Sequence, residues 1–207
     1  VALQLAPSKA DGSEVVLVYS KKIPASLDVA THYAEARSVP KSHWIELDVE
    51  MADIISRKSF REQIELPLLK ALAERNLMTF ATETAQGKLG GSKVTKYVCT
   101  QSSIRYLVIC YGIPFRVAPD TTLEEEIPKD YPPLLRRNES SVDNDLALLP
   151  INGNFAYFGA IENRFAYRAT DRARLHPTNA ILMVTRLDGP NPELAKGLVD
   201  KALIAEK

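Results

Sequence analysis

Residues 104–117 read Ile-Arg-Tyr-Leu-Val-Ile-Cys-Tyr-Gly-Ile-Pro-Phe-Arg-Val, and no other stretch restricts the possible fold as strongly. The first part is a continuous apolar, β-branched and aromatic run without polar alternation, closed by Gly112 and Pro114. A strand with one solvated face alternates in polarity. A run without alternation needs cover on both faces, which a parallel sheet layered between helices provides. The chain must then turn at Gly112. In open α/β sheets ligands sit outside the carboxyl ends of the strands, so the Gly-Ile-Pro-Phe-Arg turn is the first place to look for function.

Runs of strand length recur at 15–19, 44–49 and 181–185. Between the first two, Pro24, Ala25 and Ser26 open a segment with Leu27, Ala30, Tyr33, Ala34 and Arg37 at helical spacing, which Pro40 stops. Strand, helix, strand in that order is the pattern of a parallel crossover. Ser56 is placed to cap a further helix with the stripe Phe60, Ile64, Leu68, Leu69 and Leu72, kinked or divided by Pro67. After the run at 181–185, Asn191 as cap and Pro192 at the first helical position open a last helix. Its expected inner face is Leu194, Leu198, Val199, Ala202 and Leu203.

These elements predict a three-layer α/β domain with a mostly parallel sheet of about four strands flanked by helices. The expected layout is a flexible lead-in at 1–13 and one domain over 14–207, elaborated by an insertion at about 118–180. Residues 77–103, rich in Thr, Ser and Gly, read as an excursion or mobile loop with a β-prone piece at 94–100. Residues 118–140, rich in proline and charge, read as an exposed loop that orders on a partner, and 152–167 as loop with short strands. A start at Val1 and an end at Lys207, within helix-forming sequence, read as a domain from a longer chain.

Charge and cysteine content exclude several function classes. The 26 basic and 26 acidic residues cancel, and no basic cluster interleaved with aromatics occurs, which argues against a nucleic-acid partner. The apolar runs fall well short of the roughly 20 residues that span a bilayer, which argues against a membrane partner. Cys99 and Cys110 make no disulfide framework and read as free thiols, Cys110 as packing within the buried run rather than as an activated nucleophile. His32, His43 and His176 lack partners at metal-ligand spacing, and Gly87, Gly90 and Gly91 do not form a phosphate-cradling loop. No cofactor is expected from these patterns.

Two local constellations carry chemistry. Ser-Val-Asp-Asn-Asp at 141–145 places Asp143 and Asp145 two residues apart at a turn into a short helix running to Leu149. Carboxylates so placed can hold calcium or a substrate cation. The plainer alternative is a helix cap, by Ser141 or Asp143, with acids complementing the helix dipole. Arg186 and Asp188 follow a strand end directly, and Arg116 ends the turn after the central run. Parallel strands put all five residues at one edge of the sheet. They would form either a polar ligand site or a salt-bridge net that locks the loops.

The blocks Tyr-Leu-Val-Ile-Cys-Tyr-Gly-Ile-Pro (106–114), Ser-Val-Asp-Asn-Asp-Leu-Ala-Leu-Leu (141–149) and Met-Val-Thr-Arg-Leu-Asp-Gly-Pro (183–190) resemble, in order, a family of uncharacterised, exported bacterial proteins. The last block and the Asp143 region are also similar, more locally, to the first half of the catalytic domain of gingipain-type cysteine peptidases, of caspase-related fold. The first resemblance implies export to the periplasm, cell surface or medium. The second implies a leading α/β subdomain whose partner is the remainder of the parent chain after Lys207, where the peptidase His and Cys would lie. No residue of this chain matches that pair, so its catalytic set is incomplete here.

Overall fold

The computed structural model describes residues 12–85, 94–123, 127, 130–159 and 175–207. Most of the lead-in, the glycines at 87–91 and the stretch 160–167 therefore lie outside the described residues. Four strands form the central sheet: β1 (Val15–Ser20), β2 (Trp44–Leu47), β6 (Tyr106–Cys110) and β9 (Met183–Leu187), in the order β2-β1-β6-β9 and all parallel. The intervening strands are β3 (Ile54–Ile55), β4 (Met78–Ala85), β5 (Val94–Ser102), β7 (Arg116–Val117) and β8 (Ser140–Ser141).

The unalternating runs are explained by burial on both faces. Val16, Val18, Leu107 and Ile109 point into one apolar cluster, while Val15, Leu17, Val108 and Cys110 point into the other. The second cluster is closed by α1 (Pro24–Arg37) and α5 (Pro192–Ala205), through Val29, Ala30, Ala34, Ala195 and Val199. The first is closed by Phe60, Ile64, Leu68, Leu69 and Leu72, together with Val142 and Leu146 of α4 (Val142–Ala147). The three-layer α/β architecture follows from these two clusters.

Local signals act where the sequence places them. Ser56, Ser141 and Asn191 each accept a backbone N–H from the third residue on, capping α2 (Arg57–Phe60), α4 and α5. Pro67 divides its helix by a π turn at Arg61–Glu65 that precedes α3 (Leu66–Glu74), with the Leu66 N–H reaching back five residues to Arg61. Proline has no N–H for the usual bond and its ring crowds the preceding turn, and the wider turn relieves both.

Three expectations need correction. Within 77–103 the β-prone piece at 94–100 is strand β5, but Met78–Ala85, read as excursion or loop, is also a strand, and the two pair antiparallel because Thr, Tyr, Phe and Val suit a pleated surface. Gly12 and Ser13, expected in the flexible lead-in, form a 3-10 turn with Glu14, and Gly12 is buried where a Cβ would strike the backbone of Arg37 and Val39. On α5 the inner face is Ala195, Val199 and Leu203, leaving Leu194 and Leu198 exposed, because α5 packs on α1 through small residues.

That rotation is testable by urea unfolding. Val199→Ala, which empties space in the core, is expected to cost about 2 kcal/mol. Leu198→Ala is expected to stay within about 0.5 kcal/mol of wild type. The reverse order would place the other face inward.

Candidate functional site at the strand ends

At the carboxyl end of the sheet the chain leaves β6 through Tyr111 and Gly112, where φ is +83°, a left-handed conformation that favours glycine. A Cβ at Gly112 would also approach Ile23 and Met51 to 3.0 Å. The turn is held from β9, whose Arg186 lies opposite Ile109 in the sheet register. Arg186 donates from Nη1 to the Ile113 carbonyl at 2.5 Å and from Nη2 to the Pro114 carbonyl at 3.0 Å. It also meets Asp143 through Nη2 at 2.9 Å and through Nε at 3.2 Å, and Asp188 at 3.5 Å. One guanidinium thus joins β9, the turn after β6 and the first turn of α4 with nearly all its donors engaged.

The five predicted site residues therefore do not form one constellation. Asp143, Arg186 and Asp188 converge. Asp145 does not, because residues two apart on a helix point to roughly opposite sides once α4 forms. It is buried instead against Arg57, and also accepts from Ser140 Oγ at 2.7 Å. Arg116 is exposed on the short strand β7, whose alternation turns Val117 inward and the arginine outward, towards Glu139. Asp143 and Asp145, the pair proposed for calcium, are each engaged by a different arginine. Among the described residues no group of three or more His, Cys, Asp or Glu is placed to hold a metal ion.

Beside the Arg186 clamp opens a cleft of about 420 Å³ over the ends of β6 and β9 and the loop after β2. Asp53 and Asp188 supply carboxylates to its lining, while Met51, Tyr111 and Phe115 supply apolar and aromatic surface. Met51 and Phe115 are 55% and 46% exposed, so two large apolar side chains face solvent at one place. Phe115 belongs to the Gly112–Arg116 turn where the sequence directs attention, whereas Met51, Asp53 and Tyr111 carry no such expectation. Asp53 sits in the loop after a strand of the same parallel sheet, and that position was the available signal.

A second polar group, also unforeseen, lies under the strap 138–157. Arg57 donates to Asp145, to the Asn138 carbonyl at 2.6 Å and to Ser140 Oγ at 3.0 Å, and its guanidinium lies 4.9 Å from the Tyr157 ring centroid. Asn138 in turn exchanges two hydrogen bonds with the backbone of Asp120. Glu65, in the π turn, is 3% exposed and 3.4 Å from Arg61. Asn152 is fully buried beside it, with both side-chain amide atoms short of a regular hydrogen bond. Burial pushes the carboxyls of Glu65 and Asp145 up, against the opposing pull of Arg61 on the first and Arg57 on the second. Burial likewise pushes the thiol of Cys110 up to about 12 and that of Cys99 up to about 11, so neither is a thiolate at neutral pH.

No family model, curated protein or solved structure matches this chain. Among the described residues no helix is long and apolar enough to cross a membrane.

Two measurements probe these groups. Arg186→Met strips donors from two backbone carbonyls and from Asp143 at a largely buried position, and is expected to cost about 2–4 kcal/mol in urea unfolding. A loss below about 0.5 kcal/mol would show that the clamp is decoration. Glu65 tests the sign of the burial effect. Its carboxyl is raised above the ordinary 4.5, so the folded state holds this proton more tightly than the unfolded chain. Its contribution is full below that ordinary value and is lost as pH rises through the raised one. Acidification from pH 7 should accordingly stabilise wild type more than Glu65→Gln, and equal pH slopes would refute the assignment.

Proposed function

We propose that this chain is a ligand-binding α/β domain of a larger exported protein, and that it takes a polar ligand with a cationic group in the cleft over β6 and β9. The observation that carries the reading is the cleft itself, where two carboxylates, Asp53 and Asp188, stand beside exposed Phe115 and Met51 and the ring of Tyr111. The carboxylates suit an ammonium or guanidinium head, and the aromatic and thioether surface suits the alkyl or ring portion behind it. The position, outside the carboxyl ends of parallel strands, is where such sheets place ligands. Arg186 serves this site indirectly, by fixing the turn that presents Tyr111 and Phe115.

Membership of a larger, exported protein rests on the resemblance of the blocks at 106–114, 141–149 and 183–190 to exported bacterial proteins. The similarity to gingipain-type peptidases adds the reading that a nucleophile, if the parent chain has one, is supplied from beyond Lys207. The raised thiols of Cys99 and Cys110 favour that division of labour over a nucleophile in this chain.

Thermal unfolding with a panel of small molecules tests the cleft. Agmatine, spermidine, lysinamide and phenethylamine are the cationic probes, with acetate, succinate and calcium chloride beside them. A ligand at about a hundred times its Kd adds about 2.7 kcal/mol to the native state. At least one amine is expected to raise Tm, and Asp53→Asn/Asp188→Asn to abolish the rise. Calcium is expected to leave Tm unchanged, since between Asp143 and Asp145 it would have to displace Arg186 and Arg57. A panel in which no amine acts, or in which the double variant responds like wild type, would overturn the reading.

A further inference from the structure

At the opposite end of the sheet the hairpin of β4 and β5 presents a different kind of surface. Its two outer edges are unequal. The edge of β5 is covered: Tyr97 donates its N–H to the Asn152 carbonyl at 2.8 Å and its carbonyl accepts from Asn154 Nδ2 at 2.9 Å. The edge of β4 pairs with no further strand among the described residues, and Ala81, Thr82, Glu83 and Thr84 are all exposed. In an antiparallel pair alternate residues direct N–H and C=O away from the partner, so β4 presents a ladder of donors and acceptors that no strand among the described residues pairs. Proteins blunt such edges with lysine, proline or inward charges. Met-Thr-Phe-Ala-Thr-Glu-Thr-Ala carries one glutamate and none of the other devices, and the register shift opposite Thr79 and Phe80 places its extra residue, Thr100, on β5, so that β4 stays regular.

Alongside this edge runs a groove of about 520 Å³ between β4 and α3. Leu66, Leu69 and Ala73 supply one wall, and Met78, Phe80 and Tyr97 the other, with the last two rings packed edge to face. Lys70 stands in its lining, 73% exposed, with Glu74 no nearer than 3.8 Å.

We propose that this edge and groove dock an extended peptide segment, which adds a third strand to β4, seats side chains two residues apart in the groove and sets an acidic side chain against Lys70. Main-chain pairing supplies affinity in such strand addition, and alternate side chains supply selectivity. A second copy of the chain is the weaker occupant. An edge about 27 Å long and about 5 Å deep falls far short of the roughly 800 Å² per partner of a stable interface. A peptide lying in the groove is instead covered by β4 along one side and by α3 beneath. This surface is independent of the strand-end cleft.

The test is selection of a random octapeptide library displayed on phage against the protein, followed by fluorescence anisotropy with the synthetic winners. Enriched peptides are expected to alternate apolar residues and to carry an acid. Ala73→Arg, an exposed substitution that fills the groove without touching the core, should weaken them at least ten-fold. Methylating alternate backbone nitrogens of the peptide should do the same, a readout that only strand pairing explains. Lys70→Glu should shift the selected charge from acidic to basic. The proposal is overturned if no peptide is enriched over background, if winners bind Ala73→Arg or accept N-methylation without loss, or if light scattering shows a dimer whose contacts occupy β4.

Discussion

The carboxyl end of this sheet depends on one guanidinium. Without a donor in the place of Arg186, the carbonyls of Ile113 and Pro114 would need water, and Asp143 would lose the partner opposite α4. The turn after β6 is short and contains Gly112 and Pro114, so it cannot be stiffened by helix or by a longer ladder of its own. Fixing it from the adjacent strand is the economical solution. Residue 186 faces Ile109 in the register, and a long side chain from there spans the end of β6 and reaches α4. A lysine could neutralise Asp143 but could not serve four acceptors in one plane.

A second arginine plays the same part under the strap. Arg57 binds Asp145, the carbonyl of Asn138 and Ser140 Oγ, and so ties α2 to β8 and α4. A buried ion pair of this kind is a weak source of net stability, since desolvation offsets much of the attraction. Its value lies in specificity: β3, β7 and β8 are two residues each, too short to choose a register by pairing alone. Arg57 Nε and both side-chain amide atoms of the neighbouring Asn152 lack a regular hydrogen bond, so among the described residues this is the part of the core where polar satisfaction is least complete.

The sheet was legible because parallel strands announce themselves. The runs at 15–19 and 106–110 lack polar alternation, and burial on two faces is the physical reason for that pattern, whereas β9 at the sheet edge is only partly buried and exposes Thr185. Caps at Ser56, Ser141 and Asn191 were equally readable, since each is a local side-chain-to-backbone bond. The hairpin was not. Its strands are Thr-rich and half-exposed, and a two-stranded ribbon at the surface has no second face to impose a pattern. The inner face of α5 differs from the expected one because close approach to α1 brings Ala195 inward beside Val199 and leaves the larger Leu194 and Leu198 exposed. At the site, the position of Asp188 just past a strand was visible, whereas Arg186, expected after the strand, lies within β9, and the separation of Asp143 from Asp145 required knowing that α4 begins at Val142. Arg57 had no signal at all: its partners are more than eighty residues away in the chain.

Topology keeps the two candidate binding surfaces apart. The crossover from β2 must return through α2 and α3 to the start of β6, and the hairpin is inserted just before that strand, where Ser103 donates to the Leu77 carbonyl. It therefore projects from the amino end of the sheet, while the cleft opens at the carboxyl end, with the central strands buried between them. Coupling between sites requires an element with two states that both ligands bias. The two surfaces share no lining residue, so occupancy of the groove and of the cleft should contribute to stability independently.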